Sequence, residues 1–155
     1  MKQIIEVQVE GLPPFELEHE GEVGVLVEAI KTKSGFAEEI FVFEHDGELL
    51  GEIDIRERSV LQVVGHRCHE VHVEVGFEHH KEAHEFKPSA TINRVLQWAV
   101  ASKKFNLDPQ QRSKANLMLP GADKPLDKAL VLGQILQHPG CHLVLVLTLK
   151  DFTNG

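Results

Sequence analysis

The stretch Glu85-Phe86-Lys87-Pro88-Ser89-Ala90-Thr91-Ile92, continued by Val95, Leu96 and Ala99, decides how the chain is read. A strand ends at Phe86, and a helix begins at Thr91, whose hydroxyl can take up a free backbone donor of the first turn. Ile92, Val95, Leu96 and Ala99 recur at spacings of three and four and form one apolar stripe along that helix. Upstream, Val71, Val73, Val75 and Phe77 alternate with His72, Glu74, Gly76 and Glu78, the two-residue period of a half-buried strand. A turn at His79-His80 leads back to the strand that ends at Phe86. Downstream, Asn116 to Leu119 and His142 to Leu149 read as further strands.

The same order occurs earlier in the chain. Ile5, Val7 and Val9 alternate with Glu6, Gln8 and Glu10; Gly11-Leu12-Pro13-Pro14 must turn; Phe15 and Leu17 alternate with Glu16 and Glu18 on a returning strand. Val23, Leu26, Val27 and Ile30 then form a helical stripe, and Gly35 sits where a left-handed cap would end it. Ile40 to Phe43 reads as a central strand buried on both faces, Asp46-Gly47 as a turn, and Ile53, Ile55, Val60, Leu61, Val63 and Val64 as enough for two short strands. A helix among strand pairs within about 70 to 85 residues is an α+β unit whose helix covers one face of a mixed sheet. Two such units fill the chain, and the turn-rich Gly65-His66-Arg67 marks the boundary, giving expected domains 1–69 and 70–155.

Composition bounds the function. The 155 residues carry 16 Lys and Arg against 24 Asp and Glu, a formal charge of -8, and 42% apolar content, the balance of a chain that buries a core. The charge is uneven: residues 1–69 hold 6 bases and 15 acids (-9), and residues 70–155 hold 10 and 9 (+1). An acidic balance has the wrong sign for displacing counterions from phosphates, so no nucleic-acid partner is expected. Acids interrupt every apolar pair near Met1, which leaves no signal-peptide core, and Leu143 to Leu149 is far shorter than a membrane span. A cytoplasmic protein without a membrane partner is expected. Its two cysteines, Cys68 and Cys141, form no CxxC and are expected to be reduced. There is no nucleophile motif, phosphate loop or paired-carboxylate context, so neither an enzyme nor a cofactor is indicated.

Residues 85–92 with Val95 resemble ubiquitin where its second strand enters its helix. Asp108-Pro109-Gln110-Gln111 resembles the turn after that helix, Leu117 to Gly121 with Leu126 the third strand, turn and short fourth strand, and His142 to Leu145 the last strand. Residues 1–69 resemble ubiquitin in element order. Two tandem ubiquitin-like β-grasp domains ending on Gly155 are similar to the interferon-induced tandem modifier of vertebrates and, in bacteria, to the Bil-type ubiquitin-like proteins of antiphage conjugation operons. The resemblance implies a protein modifier that is activated at its C-terminal glycine and conjugated to target proteins, phage proteins among the candidates. The implied partners are an E1-like activating enzyme, an E2-like conjugating enzyme and a deconjugating protease. Val146 stands where ubiquitin has an arginine read by its activating enzyme, and one terminal glycine stands where ubiquitin has two; both point to a dedicated cascade. A non-covalent adaptor or a sulfur carrier is the alternative.

Under this resemblance Gly155 is the conjugation residue. Lys150, Asp151, Phe152, Thr153 and Asn154, which lack a periodic apolar partner, form a flexible tail that threads the activating enzyme. A chain that merely frays at Asn154-Gly155 is the plainer reading. On the last strand Cys141, Leu143, Leu145 and Leu147 share one face and His142, Val144 and Val146 the other. With Met118 beside it, the second set is either an exposed enzyme-binding patch or a surface packed against the first domain. His66, Cys68, His69, His72, His79, His80 and His84 crowd 19 positions, but strand parity splits them between faces without a second spaced pair, so no metal site is expected. His84 reads as a satisfied, partly buried side chain and Trp98 as core or interdomain packing. Glu16, Glu18, Glu20 and Glu22 read as a solvated edge that discourages strand aggregation.

Overall fold

A computed structural model describes residues 3–51, 60–101, 105–136 and 140–149. The first half contains β1 (Gln3–Val9), β2 (Phe15–His19), α1 (Val23–Ser34), β3 (Phe41–Glu44) and β4 (Val60–His66). The second contains β5 (Val71–Phe77), β6 (His80–Phe86), α2 (Ile92–Ala101), α3 (Pro109–Lys114), β7 (Asn116–Met118), α4 (Leu132–Ile135) and β8 (His142–Thr148). Among the described residues the strands form two separate four-stranded sheets of matching order, β2-β1-β4-β3 and β6-β5-β8-β7. In each, the first strand pairs antiparallel with the second and parallel with the last, which pairs antiparallel with the remaining strand. A parallel pair needs a long crossover, and α1 and α2 lie in those crossovers.

Local chemistry accounts for the elements. Ile5, Val7 and Val9 are buried beneath Leu26 and Ile30 of α1, as the alternation and the helical stripe require. Gly35 ends α1 in the left-handed region at φ 78°, and its N–H donates to the carbonyls of Lys31 and Thr32. In the second half Ile92, Val95, Leu96 and Ala99 face Val71, Val73 and Val75 of β5 and Leu143, Leu145 and Leu147 of β8. The Thr91 hydroxyl accepts from Arg94 N at 3.2 Å, the expected cap. Asp108 and Gln111 form a reciprocal capping box at the start of α3. Glu16, Glu18, Glu20 and Glu22 are exposed, the first two on the outer strand β2.

Several expectations are corrected. Among the described residues β3 is not central but the outer strand of its sheet. Val42 faces the core, while Phe41 and Phe43 meet the His69 ring, at 4.9 and 6.3 Å between centroids, so cover from the link between the sheets explains the unbroken apolar run. Gly65 and His66 belong to β4, and the break in strand structure begins at Arg67. The hairpin turn of the second half is Glu78-His79, with Glu78 at φ 56°, and His80 already belongs to β6. His84 is exposed rather than partly buried, stacking on Trp98 at 5.4 Å. Cys68 and Cys141 are not reduced thiols but a disulfide. Because β5 and β8 run parallel, the segments leading into them lie side by side, and the two Cα atoms are 5.8 Å apart. The strand expected at Ile53 and Ile55 falls outside the described residues.

Candidate functional site

β8 lies between β5 and β7, so its two faces separate cleanly. Leu143, Leu145 and Leu147 point into the core and are at most 8% exposed. Val144 and Val146 point the other way and are 36% and 38% exposed. Met118 of β7, half-buried, is the direct cross-strand partner of Val146. His142 is exposed and stacks on His72 of β5 at 5.3 Å, and His72 Nδ1 lies 2.6 Å from Glu85 Oε1. The structure thus brings His142, Val144, Val146 and Met118 onto one open face. Cys141, expected to share the core face with Leu143, is exposed and joined to Cys68. Lys150, Asp151, Phe152, Thr153, Asn154 and Gly155 lie outside the described residues.

The two sheets meet around the turn after β3. Asp46, read in the sequence only as a turn residue, occupies φ 55° and sends its carboxylate into the second half. Asp46 Oδ1 accepts from Thr91 N (3.1 Å), Thr91 Oγ1 (3.2 Å) and Arg94 Nε (2.8 Å), while the Asp46 carbonyl accepts from an Arg94 terminal nitrogen at 2.8 Å. Burial would push this carboxyl up; the bonds from Arg94 and Thr91 outweigh it and hold it below the usual range. Asp46 N donates to Ser89 O at 2.9 Å, and Gln134 Nε2 of α4 donates to Val9 O at 3.3 Å. Nothing in the periodicity distinguished Asp46; the signal was a turn acid and a helix-start Arg that only the fold brings together.

A second anchor closes the link. Glu10 follows β1 and Arg67 follows β4, and since those strands are parallel the two side chains meet. Glu10 Oε1 accepts from Arg67 Nε at 2.7 Å and from Arg67 N at 3.1 Å, and the guanidinium lies 4.5 Å over the Phe36 ring. Burial acts to raise the Glu10 carboxyl, but Arg67 and the nearby His66 win and hold it low. His66, buried under this pair, accepts the Cys68 backbone N–H at its Nδ1. Of the histidine and cysteine crowd, no group of three or more His, Cys, Asp or Glu side chains converges on one point among the described residues.

A mixed sheet whose parallel first and last strands lie in the middle, gripping one long helix, is the β-grasp form of the α+β class and is characteristic of ubiquitin-like proteins. A family model described as BilA ubiquitin-like domain 2 matches residues 72–150, just over half of the chain, and the chain belongs to this family of Bil-type bacterial ubiquitin-like proteins. No curated protein matches it. No helix among the described residues is long and apolar enough to cross a membrane.

Proposed function

We propose that the chain is a ubiquitin-like protein modifier built of two tandem β-grasp domains, residues 1–69 and 70–155, and conjugated to target proteins through Gly155 in antiphage defence. The observation that supports it most is the open face of β8, where Val144 and Val146 stand beside Met118 on the strand from which residues 150–155 continue. A dedicated activating enzyme docks on that face while the tail threads its active site. The Gly155 carboxylate attacks ATP and releases pyrophosphate. A cysteine thiolate of the activating enzyme then displaces AMP, a conjugating-enzyme thiolate displaces the first, and a target amine displaces the second, forming an amide and freeing the thiol. A protease of the same system reverses the last bond.

The test uses the full chain with its partner enzymes and ATP. A thiol-sensitive adduct is expected first, then amine-linked products of higher mass by mass spectrometry. Removing Gly155 abolishes both, since the acyl donor becomes the bulkier Asn154. A non-covalent adaptor would keep its binding and biological activity after that deletion, and survival of activity without any covalent product would overturn the modifier reading.

A further inference from the structure

The bond between Cys68 and Cys141 joins an enclosed residue to an open one: Cys68 is 5% exposed, whereas Cys141 stands exposed just ahead of β8. Each is also held by its backbone. Cys68 N–H donates to His66 Nδ1 at 2.9 Å, and the Cys141 carbonyl accepts from His72 N at 2.9 Å, beside the pairing of β5 with β8. The Gly140 carbonyl oxygen lies 3.7 Å from the Cys68 sulfur, so a thiol formed there has an acceptor in position.

The bond falls at the joint between the halves. Residues 67–70 alone separate β4 from β5. Arg67 is fastened to the first half through Glu10, and the very next residue is fastened to the second half through Cys141. With the bond closed, one peptide unit spans the two fastenings. With it open, the chain next meets the second half at the surface ion pair of Glu70 with Lys87 and at Val71 of β5, so residues 68–70 can absorb changes in φ and ψ. The contacts of Asp46 with Arg94 and of Gln134 with Val9 still hold the halves together, which keeps the two thiols within reach of each other.

We propose that Cys68–Cys141 is a site of reversible thiol–disulfide exchange with a dithiol, and that its state sets the stiffness of the joint between the halves. A thiolate of the dithiol attacks the sulfur of the exposed Cys141; the bond to Cys68 breaks, a mixed disulfide forms, and Cys68 leaves as a thiolate that takes a proton from solvent. The second thiolate of the reagent then attacks its own sulfur in the mixed disulfide and releases Cys141, which is protonated in turn. The chain gains two electrons and two protons, and the dithiol becomes a disulfide. A small disulfide such as oxidised glutathione reverses the reaction. This goes beyond the modifier reading and does not depend on it, since it uses neither the open face of β8 nor Gly155.

The test uses the full chain with dithiothreitol as the dithiol. Reduction should expose both thiols with the circular dichroism of the folded chain unchanged, and oxidised glutathione should restore the bond, read as the mass of alkylated chain. Brief iodoacetamide treatment of the reduced chain should label Cys141 at least about tenfold faster than Cys68, mapped by peptide mass, because attack follows access. Native-state hydrogen exchange should quicken roughly tenfold or more at residues 67–71 on reduction, while the amides of β1, β4 and the centre of β5 and β8 keep their rates. Loss of folded structure on reduction, failure of the bond to re-form, or equal labelling of the two cysteines overturns the proposal. So does exchange that quickens throughout the chain or not at all, the result expected of a bond that only adds stability.

Discussion

At the residue scale, Asp46 and Gly133 control how the halves meet, and Glu10 fixes the chain as it leaves β4. Asp46 gathers one backbone and two side-chain donors from Thr91 and Arg94. Hydrogen bonds to charged groups contribute about 1.5–3 kcal/mol each when desolvated, but the Asp46 side chain is 36% exposed, so screening lowers the sum. Asp46→Ala should cost about 1–2 kcal/mol in urea unfolding and leave each sheet formed by circular dichroism. Gly133 is needed for room: a Cβ there would stand 2.9 Å from His66 Cδ2 and 3.3 Å from the Pro88 carbonyl oxygen. Gly133→Ala should therefore destabilise by about 1–3 kcal/mol, where an Ala in an open helix would stabilise. Glu10 titrates with a sign that can be worked out. Its folded carboxyl is held below the ordinary value near 4.3, so its contribution is complete above that pH and is lost as pH falls through the folded value. Glu10→Gln should lower stability at pH 7 and flatten the acid limb below pH about 4, read from urea midpoints across pH.

At the scale of elements, β8 offers a contrast within one strand. Val144 is on the open face and Leu145 is fully buried. Val144→Asp should change the unfolding free energy by no more than about 1 kcal/mol while impairing transfer to the conjugating enzyme. Leu145→Asp places an unpaired charge in the core and should unfold the second half, seen as loss of thermal cooperativity. The disulfide acts on the same strand, closing a loop across 73 residues between the segments that precede β5 and β8. Cross-links over loops of that length restrict the unfolded chain, and removing one costs about 2–5 kcal/mol. Cys141→Ser, or reduction of the native chain, should lower the melting temperature with the sheet pairing of β5 and β8 intact.

At the scale of the whole molecule, each sheet has its own helix and its own buried cluster, and among the described residues no strand of one half joins the sheet of the other. The halves meet instead through a turn, a helix start and a short link. The elements were legible because their causes are local: strand alternation in residues 5–9 and 71–77, helical spacing in residues 92–99, Thr91 as cap and Gly35 as stop each depend on neighbours a few positions away. The face of β8 was legible for the same reason, since strand parity alone separates Val144 from Leu145. Parity could not decide what covers a face. The sequence therefore left Ile40 to Phe43 looking like a central strand, when the cover over Phe41 and Phe43 comes from His69, far along the chain. The Asp46 to Arg94 anchor and the Cys68 to Cys141 bond both join residues separated by tens of positions. Such pairs are set by the parallel register of β1 with β4 and β5 with β8 and by the docking of the two halves, which are properties of the folded chain and not of any window within it.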